Sequence, residues 1–102
     1  MYLVLVRAAG SGTAPPDTAE AFHRAVLDTA SPADGLAHVY AMPTGGGGVA
    51  AALFVLAPSV EQAEERALRV CLEAAAREGL ALERCAVDLI VPLEEAALHF
   101  FD

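Results

Sequence analysis

The chain has 102 residues and a mass of 10.5 kDa, the size of one domain, and a 56% hydrophobic composition excludes a disordered chain. Fourteen acids face six bases, all of them arginine, for a net charge of −8 and a pI near 4.6. With no basic cluster, such a chain repels nucleic acid and anionic membrane surfaces.

The opening MYLVLVRA lacks the charged n-region and cleavage site of a signal peptide and reads as a strand, apolar on both sides. Met1, Leu3 and Leu5 face one way, and Tyr2, Val4 and Val6 the other. Gly10-Ser11-Gly12 and Pro15-Pro16 break the chain. A helix is predicted over about 17–30. Asp17 and Glu20 stand at capping-box spacing, and Phe22, Ala25, Val26 and Thr29 form the apolar stripe. Ser31-Pro32 through Gly35 ends it.

Leu36 to Met42 reads as the second strand, with Leu36, His38, Tyr40 and Met42 on one face and Ala37, Val39 and Ala41 on the other. Gly45 to Gly48 then turn a hairpin into a third strand, Val49 to Ala57, apolar on both faces. Because a strand follows them, these glycines do not fit a phosphate loop, which needs a helix N-terminus. Ser59 and Gln62 form the capping box of a second helix over about 60–78. Val60, Ala63, Ala67, Val70, Cys71 and Ala74 form its apolar stripe, Glu65–Arg69 and Glu73–Arg77 are i, i+4 pairs on its wet face, and Gly79 and Leu80 close it. Leu82 to Val91 reads as a fourth, edge strand, with Cys85, Val87, Leu89 and Val91 on one face and Arg84, Ala86, Asp88 and Ile90 on the other. Glu94 to Phe101 reads as a short C-terminal helix. No apolar run reaches the ~18 residues of a membrane span.

The order strand, helix, strand, strand, helix, strand is that of an α+β, ferredoxin-like βαββαβ sandwich, one domain over 1–102. Right-handed crossovers place strands one and three in the centre of an antiparallel sheet, with both helices on one face. The other face then carries Leu3 and Leu5, an apolar area that something must cover. A homodimer through that face, with Leu3 and Leu5 near its centre, covers it without any other molecule.

No catalytic motif stands in the sequence: no G-x-S-x-G, P-loop or H-E-x-x-H. Cys71 and Cys85 have no metal-ligand spacing, so no metal or cofactor is expected, and they read as buried, inert thiols. Arg7, His38, Tyr40, Arg84 and Asp88 are the polar residues the topology can bring to the open face. Around an apolar floor they suit an acidic or aromatic small molecule, with His38 as a general base and Arg7 or Arg84 as an anion clamp. The plainer reading makes Arg7, Arg84 and Asp88 ion-paired edge residues, and His38 and Tyr40 interface packing. His23 reads as part of a solvated helix face, and His99, beside Phe100 and Phe101, as an interface or capping residue.

MYLVLVRA, the Phe22-His23 pair in the first helix and Ala57-Pro58-Ser59-Val60-Glu61-Gln62-Ala63 at the entry to the second resemble the YciI-like and dimeric α/β-barrel proteins. The resemblance covers most of the chain as topology. It implies dimers packed sheet on sheet, often around a small-molecule pocket, and some such proteins are cofactor-independent enzymes. The chain departs in lacking the family's Gly-Pro element and the Asp-Pro after the second helix, so no active-site residue carries over.

Three functions follow as expectations. The first is a small cytoplasmic, bacterial homodimeric module that binds a small molecule or a partner protein through the open sheet face. The second is a cofactor-independent enzyme acting on an apolar or aromatic acidic metabolite, with His38 as base. The third is a structural accessory subunit of a larger assembly.

Overall fold

The computed structural model describes residues 1–10, 17–77 and 82–93. The breaks at Ser11-Gly12 and Pro15-Pro16, the Gly79-Leu80 helix end and the C-terminal helix with His99, Phe100 and Phe101 lie outside the described residues. In chain order come β1 (Tyr2–Gly10), α1 (Thr18–Thr29), β2 (Leu36–Pro43), β3 (Val49–Val55), α2 (Val60–Arg77) and β4 (Leu82–Pro92). Single 3-10 turns at Pro32–Asp34 and Gly45–Gly47 are interposed before β2 and β3. The result is an α+β fold with a four-stranded, open antiparallel sheet and two helices, consistent with a ferredoxin-like sandwich. Among the described residues no helix is long and apolar enough to cross a membrane.

The strand order is β2-β3-β1-β4, so the two strands with apolar side chains on both faces are the central ones. One face forms the core. The registers align Val39-Leu53-Val4-Ile90, Ala41-Ala51-Val6-Val87 and Pro43-Val49-Ala8-Cys85 across all four strands. Phe22, Ala25 and Val26 of α1 and Ala63, Ala67, Val70, Cys71 and Ala74 of α2 pack on that face. Alanine dominates the α2 stripe, which lets the helix approach the sheet closely.

Of three register shifts in the ladders, one lies at the Gly10 end of β1, and the other two change which residues of β2 and β4 face the helices. In β2, Leu36 pairs with Val55 but His38 with Phe54, so Ala37 is the extra residue. Leu36 thereby joins the core side, while His38 and Tyr40 stay on the open side; the four do not share one face as simple alternation requires. In β4, Val87 pairs with Val6 and Leu89 with Leu5, which leaves Asp88 as the extra residue. Beyond it the faces exchange. Ile90 packs against the core and Leu89 is 50% exposed, the reverse of the sequence expectation. An unbroken period of two cannot register an inserted residue.

The helix ends also sort differently from expectation. Ser59 caps α2 through Gln62 N–H, at 3.2 Å. Asp17 precedes α1, but its side chain makes no capping hydrogen bond. The carboxylate that does tie down a turn is Asp34, buried at 4% exposure in the 3-10 turn after α1. It accepts the Ser31 N–H at 2.8 Å and the Ser31 hydroxyl at 3.2 Å, and it pairs with Arg69 of α2. Arg69 therefore does not pair with Glu65. Arg77 reaches the Asp28 carbonyl and the Thr29 hydroxyl, at 3.4 and 3.5 Å, rather than Glu73. A partner on another element, at the helix–helix seam, wins over an exposed i, i+4 carboxylate already solvated by water. Gly47 of the hairpin takes a positive φ, and Thr44 N–H closes the hairpin onto the Gly48 carbonyl at 2.9 Å.

Candidate functional site on the open sheet face

The open face is a grid of three rows, each crossing all four strands. They read His38-Phe54-Leu3-Val91, Tyr40-Ala52-Leu5-Leu89 and Met42-Ala50-Arg7-Ala86. Large apolar side chains dominate two of them. Tyr40 is 55% exposed, Met42 62% and Leu89 50%, and Leu3, Leu5 and Phe54 are partly exposed. Leu3 and Leu5 lie mid-grid on a central strand, where the sequence places them.

At the β2–β3 end three rings cluster. His38 and Tyr40 lie 4.4 Å apart between ring centroids, and Phe54 meets both edge-on at 6.3 and 6.2 Å. Such tilted arrangements set the positive edge of one ring against the negative face of another. The sequence reading missed Phe54. Its alternation was visible, but a strand apolar on both sides does not reveal which face is open.

At the β1–β4 end, Arg7 Nε and Asp88 Oδ2 form an ion pair at 2.9 Å, with side chains 64% and 45% exposed. The Asp88 bulge is what brings the carboxylate to Arg7. An open groove of about 480 Å³ runs here, lined by Arg7, Ala9, Leu72, Arg84, Cys85, Ala86 and Asp88. Among the described lining residues, two guanidinium groups stand against a single paired carboxylate, a balance that suits a small anion.

The polar residues singled out in the sequence thus fall into two groups. Arg7, Arg84 and Asp88 meet at one end, and His38 and Tyr40 at the other. His38 lies two strands and four residues from Arg7, roughly 17 Å by sheet geometry, and farther still from Arg84. Within one chain the His38 base and the arginine clamp do not converge on one small molecule.

His23 is not on a solvated face. It is half-buried, and its Nε2 bonds the Val39 carbonyl at 3.1 Å. Cys71 and Cys85 are unbridged and face the core. Burial pushes the Cys71 thiol up to about 12, with the nearby Cys85 adding to the effect, and burial raises Cys85 as well. Both are protonated and poorly nucleophilic at neutral pH. Among the described residues no group of three His, Cys, Asp or Glu side chains is placed to hold a metal ion.

No protein-family model matches the chain, and a search of curated proteins returns no match.

Proposed function

We propose that this chain is a small homodimeric module of ferredoxin-like build. Its open sheet faces pack on one another, and the arginine groove at the β1–β4 end receives a small anionic molecule or an acidic segment of a partner protein. The observation that carries this reading is the apolar grid. Leu3, Leu5, Phe54, Tyr40, Met42 and Leu89 present large side chains to water on one side of the sheet, with three of them half or more exposed. At about 1.5–3 kcal/mol for each fully buried side chain, covering the six is worth on the order of 10 kcal/mol per subunit before the costs of association. That is comparable with the whole stability of a domain this size. A two-fold dimer covers the face with the chain's own surface. The sheet-on-sheet dimers implied by the resemblance to dimeric α/β-barrel proteins support the same arrangement, and two unbridged thiols suit a reducing cytoplasm.

Analytical ultracentrifugation tests the reading. The wild-type chain should sediment as an assembly built from dimers at micromolar concentration, and Leu5→Glu, which sets a carboxylate mid-grid, should halve the mass or aggregate. A wild-type monomer would overturn the dimer.

A further inference from the structure

The sheet has two edges, and they are defended differently. The β4 edge carries Arg84, Asp88 and a bulge, devices that discourage further strand pairing. The β2 edge, Leu36–Pro43, carries no charged residue in a chain of net charge −8.

The Thr44 N–H bond to the Gly48 carbonyl fixes which backbone groups of β2 point outward. In an antiparallel ladder the hydrogen-bonded positions alternate. Met42, Tyr40 and His38 therefore bond to β3, while Pro43, Ala41 and Val39 direct their backbone groups away from the sheet. Proline has no N–H to offer. The Val39 carbonyl is bonded by His23 from α1. What remains outward are the N–H groups of Val39 and Ala41 and the carbonyls of Ala41 and Pro43. An open groove of about 440 Å³ runs beside them, between α1 at Asp17, Glu20 and His23 and β2 at Tyr40, Ala41 and Pro43.

We propose that β2 is a self-complementary edge, at which a second copy of this chain pairs antiparallel, β2 to β2, about a two-fold axis at Ala41. The two sheets then continue as one of eight strands. Each Ala41 N–H donates to the Ala41 carbonyl of the other copy, and each Val39 N–H donates to the other copy's Pro43 carbonyl. A regular ladder would also need a donor from position 43 to the Val39 carbonyl. Proline cannot supply it, and His23 already does. No outward backbone group from 39 to 43 is left unmatched. The same pairing sets Tyr40 of each copy directly opposite Met42 of the other, in a non-hydrogen-bonded pair with Cα atoms about 4.5 Å apart. It covers the two most exposed large apolar side chains of β2, 55% and 62%, with a thioether–ring contact. On the helix side Ala41 meets Ala41, so no bulk opposes the approach. Glu20, in the groove, already has Arg24 at 3.6 Å as its partner. The match between Pro43 and the His23-bonded carbonyl is a property of two copies of this sequence, and it favours self-pairing over a foreign extended peptide.

The outward backbone of this edge is distinct from the sheet face of the proposed dimer, although Tyr40 and Met42 border both, and the two interfaces together assemble a tetramer. The test compares wild type, Ala41→Pro and Leu5→Glu by sedimentation, and follows backbone amide exchange at Val39 and Ala41 in the wild type. Ala41→Pro removes one outward N–H and leaves the β2–β3 ladder intact. It should halve the wild-type mass, while the Val39 and Ala41 amides of the assembled wild type exchange at least about tenfold slower than at the lowest concentration. An unchanged mass in Ala41→Pro, or unprotected Val39 and Ala41 amides at every concentration, overturns the proposal; the second result also covers an edge reserved for another protein's strand. If Ala41→Pro does not fold, the wild-type exchange decides alone. The two interfaces fail separately. If Leu5→Glu halves the mass and Ala41→Pro does not, the edge is wrong and the face stands. The opposite pattern leaves the edge and removes the face.

Discussion

At the scale of single residues, two positions in the connection from α1 to β2 hold more of the structure than their surroundings suggest. Gly35 has φ +68°, and its carbonyl accepts the Leu56 N–H at 2.8 Å. A Cβ at Gly35 would lie 2.3 Å from the Leu56 carbonyl oxygen, which is backbone and cannot swing aside. Gly35→Ala should therefore cost at least about 2 kcal/mol, lowering the melting temperature by roughly 10 °C or more. Gly45→Ala, whose added methyl meets nothing within 4 Å, is the control and should leave melting nearly unchanged. Beside Gly35, the backbone N–H of Ser31 holds the Asp34 carboxyl below its ordinary 3.8, against the opposing effect of burial, and the Ser31 hydroxyl and Arg69 add to the lowering. A carboxylate with a depressed folded-state pKa stabilises the fold above its unfolded value. That contribution is lost as pH falls from about 4 through the lower folded-state value. Acid titration of stability should show this loss in wild type, and Asp34→Asn should remove that part of the acid limb; identical acid limbs would show that the Ser31–Asp34–Arg69 contacts do not act as described.

At the scale of elements, helices and strands were legible where local chemistry sets their ends. Ser59 starts α2 because its hydroxyl receives the Gln62 N–H, a bond decided within four residues. The bulges at Ala37 and Asp88 were not legible. Each exists because one strand carries an extra residue relative to its partner, a comparison between segments distant in the chain. The Asp88 bulge makes an unusual deletion tolerable. Removing one mid-strand residue ordinarily turns every later side chain to the wrong face. Removing Asp88 restores plain alternation with Val87 and Ile90 still inward and Leu89 and Val91 still outward. Its cost should stay within about 1–2 kcal/mol, since the exposed pair with Arg7 contributes little. Deleting Ala86 instead turns Val87 outward and carries Asp88 inward, under α2, where an unpaired carboxylate costs several kcal/mol. Thermal melts of the two deletions should differ widely; similar melts would mean that β4 can slide its register.

At the scale of the whole molecule, the chain presents two unfilled surfaces, an apolar sheet face that crosses all four strands and an uncharged strand edge at β2, and Tyr40 and Met42 border both. Alternation in β1 and β3 announced the face. Residues apolar on both sides of a central strand need cover on both sides, and two helices supply only one. That inference uses periodicity and counting, so the sequence carries it. The sequence likewise determined the α+β class, the edge position of β4 and the N-cap of α2, because these rest on local propensity, capping and period. Only the tertiary structure decided that Phe54 joins His38 and Tyr40, that Asp88 reaches Arg7, that Arg69 crosses to Asp34, and that His23 bonds the Val39 carbonyl. Those contacts join residues separated by 14 to 81 positions in the chain, and their geometry is set by strand register and helix packing, which no local pattern of residues encodes.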